Sequence, residues 1–133
     1  MQRLALNDSG SIAPLVAGYL ALVVMVSLMA ANVTTAMALA HRVQGVADAA
    51  IIYAHERSLR VGLPVEGALK QQLAIFLESA PSAKRLTVVS SRVETRGAKS
   101  TLVLCSRFQL PLSSDPVVIC KQASAESYLV PTA

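Results

Sequence analysis

Aromatic residues and clustered charge are both scarce in this chain, and their scarcity argues against nucleic acid as a partner. Aromatic residues make up 4% of the 133 residues, and tryptophan is absent. The net charge of +4 comes mainly from Lys and Arg scattered between Arg42 and Lys121, without a basic block. Nucleic-acid binding needs a concentrated basic surface, and single strands also need aromatic platforms for base stacking. We therefore predict no nucleic-acid partner.

The side chains that most often catalyse reactions or bind metals are also few. The imidazoles and thiols are those of His41, His55, Cys105 and Cys120. No C-x-x-C, H-x-x-x-H, P-loop, G-x-S-x-G or G-x-G-x-x-G spacing occurs, so metal, nucleotide and nucleophile-elbow sites lack their minimum parts. The carboxylates are dispersed and form no local acid/base pair. We predict no enzymatic activity, no catalytic or metal-binding residue, no cofactor and no small-molecule substrate.

Formal charge is absent between Asp8 and Arg42, and this gap dominates the sequence. Within it, residues 12–31 supply about twenty mostly apolar residues, the length that an α-helix needs to cross a hydrocarbon layer of ~30 Å. A soluble protein would have to surround such a helix on every side, and the remaining chain is too short and too polar to do so. Residues 11–40 are therefore predicted to be a transmembrane segment, with membrane lipid as a partner. Charge does not orient it, because Arg3 lies on one side and His41 and Arg42 on the other.

Small residues recur along this segment at the spacing of one helix face. Ala13, Ala17 and Ala21 are four residues apart, and Gly18 lies beside them. Such a stripe lets a second helix approach closely in lipid, so we interpret it as a helix-packing surface. The alternative is that the pattern arises by chance in an Ala-rich span.

The helix is predicted to continue beyond the membrane, because no proline or cap interrupts the pattern before Gly62 and Pro64. Small or apolar residues keep helical spacing at Val43, Val46, Ala47, Ala50, Ala54 and, less strictly, Tyr53. One helix from about Ile12 to Arg60, on the order of 70 Å long, is expected. His41 and His55 would lie about 20 Å apart on it and could not share one metal ion, so we place His41 in the headgroup region and His55 on a solvated surface.

The C-terminal half predicts a small α+β domain. Val65 to Ala80 forms a short helix with an apolar stripe at Leu69, Leu73, Phe76 and Leu77, ended by Pro81. From Lys84 the period of the apolar residues changes from about 3.6 to two, which is typical of β-strands. Residues 85–95 and 101–112 flank a turn at residues 96–100, and this arrangement indicates a β-hairpin. Residues 117–128 add one or two strands, giving a three- or four-stranded antiparallel sheet. The predicted organisation is a leader (1–10), the span (11–40), its amphipathic continuation (41–62) and a small α+β domain (63–133).

The two cysteines lie on strands predicted to be neighbours. Cys105 belongs to the strand predicted over residues 101–112. One face of that strand carries Leu102, Leu104, Phe108 and Leu110, with Ser106 as an exception. A disulfide between Cys105 and Cys120 would close a loop of about fifteen residues and contribute roughly 3 kcal/mol in the chain-entropy model. The alternative is two buried free thiols; export of so small a domain favours the disulfide.

Four parts of the sequence together resemble a known family: the leader ending in Asp8-Ser9-Gly10-Ser11, the apolar span that follows at once, its continuation HRVQGVADAAIIYA, and a C-terminal strand that ends in the Ala-rich residues 122–126. They are similar to the TadE-like minor pilins of tight-adherence (Flp) pili, particularly a divergent actinobacterial branch. The resemblance implies cleavage by a prepilin peptidase between Gly10 and Ser11, although the family's Glu at mature position five is replaced by Leu15. It also implies a non-catalytic role in the cell membrane among pilin-like subunits or pilus-assembly proteins, with residues 63–133 as an extracytoplasmic domain.

Two other hypotheses remain open. The chain could be a single-pass membrane protein whose outer domain binds a partner outside pilus biology. It could also be secreted, because residues 38–40, Ala-Leu-Ala, fit the small-x-small pattern that precedes a signal-peptidase cut. The apolar region is longer than a usual signal core, which argues against secretion.

Overall fold

The computed structural model describes residues 12–128, so the predicted leader and the processing site at Gly10 and Ser11 lie outside the described residues. The fold is α+β. Its principal elements are three α-helices, α1 (Ile12–Ser58), α2 (Glu66–Ser79) and α3 (Pro81–Lys84), and five strands. The strands are β1 (Leu59–Arg60), β2 (Leu63–Pro64), β3 (Thr87–Arg96), β4 (Lys99–Phe108) and β5 (Val117–Glu126). The chain divides into two compact units, residues 1–34 and 35–133.

The long helix is confirmed, since α1 runs without interruption from Ile12 to Ser58. Pro14 lies in its first turn, where the missing N–H would have no helical partner in any case. The predicted inner positions from residue 43 to residue 54 are buried, apart from Tyr53, which is half-buried. Three alanines at 0% exposure, Ala47, Ala50 and Ala54, form the centre of this face. Their small side chains let the helix backbone lie close to its neighbours.

The prediction for His55 is wrong. Its side chain is 4% exposed, and Ile51, one turn earlier, is also buried. The buried face is therefore wider than predicted, because it includes the row at residues 47, 51 and 55. His55 belongs to the interior of the C-terminal unit rather than to a solvated surface.

A tight hairpin, rather than a simple helix stop, follows α1. The two-residue strands β1 and β2 pair antiparallel around Val61 and Gly62. Both turn residues have positive φ, 52° and 81° respectively, as a type I′ turn requires. Val61 is fully exposed there, and a β-branched residue in this backbone region is a strained exception.

The short helix α2 is confirmed, and its predicted apolar stripe faces the core. Leu69 and Leu73 are buried, while Phe76 and Leu77 are half-buried against the same cluster. The Phe76 ring lies 5.4 Å from the Tyr53 ring of α1, centroid to centroid. Pro81 ends α2 as expected, but the chain then forms the additional short helix α3, with Pro81 at its first turn.

The sheet has three antiparallel strands in the order β3-β4-β5. β3 and β4 are joined through Gly97 and Ala98, and Gly97 has a φ of 60°, which fits a type II′ turn with glycine at its first central position. In β4, Leu102 and Leu104 are fully buried, as predicted. Ser106 lies on that face by alternation, and its buried hydroxyl is satisfied because it donates a 3.0 Å hydrogen bond to the Thr87 carbonyl. One sheet face thus completes the core with α1 and α2.

Candidate functional site

The first candidate surface is the apolar part of α1. Every side chain from residue 12 to residue 31 is exposed. Within residues 12–128, α1 is the one helix that is long and apolar enough to cross a membrane, and none of the residues in its most apolar window is buried. A core helix of a soluble protein would be covered by its own chain. This apolar helix is compatible with a membrane-anchored protein.

The predicted packing stripe lies within this exposed part. Ala13, Ala17 and Ala21 follow one another at successive helical turns, and all three are exposed. A Cβ added to Gly18 would meet no atom within 4 Å. The helix therefore brings the four predicted residues to neighbouring positions on its surface. No described part of residues 12–34 covers them, so another helix has room to pack there.

Asn32 is a residue of the same helix that the sequence reasoning missed. The hydroxyls of Ser27 and Thr34 donate to the carbonyls of Val23 and Ala30, one turn earlier, at 2.8 and 2.9 Å. The Oδ1 atom of Asn32 is shielded from solvent and has no hydrogen-bond partner among the described residues. The signal was available in the sequence, because Asn32 carries the only side-chain amide between Asn7 and Gln44.

The second candidate is the buried imidazole of His55. Its Nδ1 atom lies 2.8 Å from the hydroxyl of Ser100 on β4, and its Nε2 atom lies 2.7 Å from the hydroxyl of Ser127, just after β5. In a neutral imidazole one ring nitrogen donates and the other accepts, and a hydroxyl can do either. Ser127 is also tied to the β3–β4 turn, since its N–H donates to the Ala98 carbonyl at 3.0 Å. His55 therefore joins α1 to two separate parts of the sheet.

A Ser–His pair at this distance also resembles a nucleophile beside its base. Ser100, however, is 0% exposed and out of reach of a substrate. Both imidazole nitrogens are occupied by hydroxyls, which leaves neither to be oriented by a carboxylate. The arrangement is suited to holding the helix on the sheet. Within residues 12–128, no three His, Cys, Asp or Glu side chains converge in a way that could hold a metal ion.

The two cysteines are joined by a disulfide, as predicted. Cys105 on β4 is directly opposite Cys120 on β5, and their Cα atoms are 4.0 Å apart. Cys105 is nearly buried, whereas Cys120 is exposed. The bond links the central strand to an edge strand on the sheet face opposite Leu102 and Leu104.

We expect both cysteines to resist alkylation in protein isolated from cells, because they are already paired. Denaturing, non-reducing conditions with a maleimide reagent would test this. The same sample after reduction is the control and should take up two labels. Two labels without reduction would contradict the disulfide in cells, and with it one argument for export.

Comparison with known proteins gives one match. Residues 10–56 match the model of the Tad family, described as "Putative Flp pilus-assembly TadE/G-like". No curated protein and no solved structure gives a significant match to the chain. The matched residues begin just before α1 and end two residues before its last residue, so they contain the exposed span, Asn32 and His55 but none of β3, β4 or β5. Over residues 10–56, the chain is therefore similar to TadE/G-like proteins of Flp pilus assembly.

Proposed function

We propose that this chain is a non-enzymatic, pilin-like component of a Tad/Flp-type pilus or secretion assembly, anchored in the cell membrane by α1. The observation that carries the proposal is the family match over residues 10–56, which coincides with the helix whose apolar half is uncovered. The C-terminal unit, including β3, β4 and β5, would be presented on the extracytoplasmic side. Its partners would be membrane lipid and other pilin-like subunits or pilus-assembly proteins.

Helix packing in the membrane would be the basis of assembly. Lipid tails are as apolar as the helix, so there is little hydrophobic drive for association, and close backbone approach must supply the attraction. The stripe at Ala13, Ala17, Gly18 and Ala21 permits that approach. Asn32 would add a polar contact on turning its side chain outward, because its shielded Oδ1 atom has no hydrogen-bond partner among the described residues. Interhelical hydrogen bonds of this kind contribute about 0.6–2 kcal/mol.

The test is site-specific crosslinking from Ala17 in cells that contain or lack the major pilin. We expect crosslinks to a pilin or pilus-assembly protein. Ala17→Leu should reduce pilus assembly and adhesion, because a larger side chain separates the helices, and Asn32→Leu should also reduce them. Ser27→Ala is the matched control, since its hydroxyl already bonds within the helix.

Two results together would contradict the role in pilus assembly. If crosslinks from Ala17 never reach a pilus protein and Ala17→Leu assembles normally, the chain is a membrane protein outside pilus biology. N-terminal sequencing of the cellular protein separates the processing alternatives. Met1 indicates an uncut chain, Ser11 indicates prepilin-type cleavage after Gly10, and His41 indicates secretion after removal of a signal peptide.

A further inference from the structure

A groove of about 450 Å³ lies at one end of the C-terminal unit, where β3 begins and β4 ends. Its walls come from three parts of the chain: α1, the segment around α3, and the last residue of β4. The residues that matter for its chemistry are Leu39, Arg42, Val46, Arg85, Leu86 and Phe108. Four of these side chains are apolar and two are cationic.

The two arginines are available to a ligand. Arg42 and Arg85 are both exposed, and neither forms an ion pair with another described residue. None of the described residues that line the groove is acidic. A groove with cationic side chains and apolar walls matches a ligand that carries an anionic head next to hydrocarbon. Guanidinium groups are suited to phosphate oxygens, which they can bind through two parallel hydrogen bonds.

The opposite end of the sheet lacks this character. There, a groove brings Arg96 and Lys99 together with Glu94, so that its charges are mixed. Another groove beside α1 holds His41 and Lys121 next to Met37 and Ala40. Of these three grooves, the one lined by Arg42 and Arg85 is the one that combines two arginines with no acidic residue among its described lining residues.

The place of Arg42 in the sequence points to the source of the ligand. Arg42 is the first formally charged residue after Asp8, so it marks the end of the apolar span. Leu39 still belongs to the uncharged stretch. If residues 11–40 cross a membrane, their roughly 45 Å of helix matches a bilayer with both headgroup regions, so residues 39–42 lie at the lipid headgroups. A phospholipid is the anionic, partly apolar molecule present at that depth.

We propose that this groove binds one anionic phospholipid, with Arg42 and Arg85 on the headgroup phosphate and the upper acyl carbons against Leu39, Leu86 and Phe108. The inference rests on the membrane anchoring in the proposed function. It adds a specific lipid site that would hold the base of the C-terminal unit at the membrane surface. Each basic residue near an anionic leaflet strengthens binding roughly fivefold.

The experiment uses the full chain purified in a neutral detergent, titrated with phosphatidylglycerol or phosphatidylcholine, with bound lipids counted by native mass spectrometry. We expect one phosphatidylglycerol to bind preferentially. The double variant Arg42→Gln/Arg85→Gln should weaken that binding about 30-fold, the product of two contacts. Arg96→Gln/Lys99→Gln removes the same charge at the opposite end and should bind like the parent chain. All four side chains are exposed, so both variants should fold.

Three results would overturn the site: equal binding of the two lipids, an equal loss in both double variants, or full displacement of phosphatidylglycerol by glycerol phosphate. The second would mean diffuse attraction to net charge, and the third would mean a site for phosphate alone. The measurement contains no pilin, so it is independent of the Ala17 crosslinks. Selective lipid binding without pilin crosslinks would uphold the groove and overturn only the assembly role.

Discussion

Replacing His55 with leucine should destabilise the C-terminal unit by about 3 kcal/mol. The substitution introduces an apolar side chain of similar size and removes both hydrogen bonds of the imidazole. Ser100 is 0% exposed, so its hydroxyl would be left buried without its partner, and Ser127 would lose its link to α1. An unsatisfied buried polar group costs about 1–3 kcal/mol. Pulse proteolysis of the full chain in urea should show a midpoint lower by about 2 M.

Two comparison variants make this result specific. His41→Leu changes the same residue type at an exposed position of the same helix and should alter stability by less than about 0.5 kcal/mol. His55→Leu/Ser100→Ala removes both partners of the fully buried hydrogen bond, so much of the lost stability should return. Equal midpoints for His55→Leu and the parent chain would show that the imidazole does not hold α1 on the sheet.

The second large effect concerns membrane insertion. Leu22→Arg places a charge near the middle of residues 12–31, where every side chain is exposed and a lipid environment would have to accept it. An arginine at the centre of a transmembrane helix costs about 2.5–3.5 kcal/mol on the translocon scale. Because 1.4 kcal/mol is a factor of ten, the insertion equilibrium should fall roughly 60- to 300-fold. Carbonate extraction should then release much of the full-length protein.

Gln71→Arg provides the matched control for Leu22→Arg. It adds the same charge at an exposed position of α2, outside the apolar segment, and should leave the protein in the membrane pellet. If the parent chain itself is extracted as full-length soluble protein, the membrane anchor is wrong. If Leu22→Arg remains in the pellet with the parent chain, residues 12–31 do not form the span.

Lipid binding and helix packing would act on different parts of α1. The stripe at Ala17 would determine which helices lie beside the span, whereas Arg42 would position the start of the C-terminal unit at the headgroups. His55 lies farther along the same helix, and its hydrogen bonds to Ser100 and Ser127 join the helix to the sheet. Variants at these three places should therefore have separable effects on assembly, lipid selectivity and unfolding.

The sequence by itself determined the features that depend on local pattern. The uncharged run before Arg42 identified the apolar helix, since length and hydropathy suffice for that purpose. Helical spacing predicted the burial of Leu69 and Leu73, and alternation predicted that of Leu102 and Leu104. The two cysteines could be paired because a strand, a turn and a second strand separate them.

Tertiary structure alone decided which distant residues meet. His55 is polar, so its place in the row with Ala47 and Ile51 was not recognised as buried; the hydroxyls of Ser100 and Ser127 make that burial possible. The groove likewise depends on Arg42 and Arg85 converging from separate elements. Periodicity reports which side of an element is apolar, but it does not report what lies opposite, because those contacts join residues that are far apart in the chain.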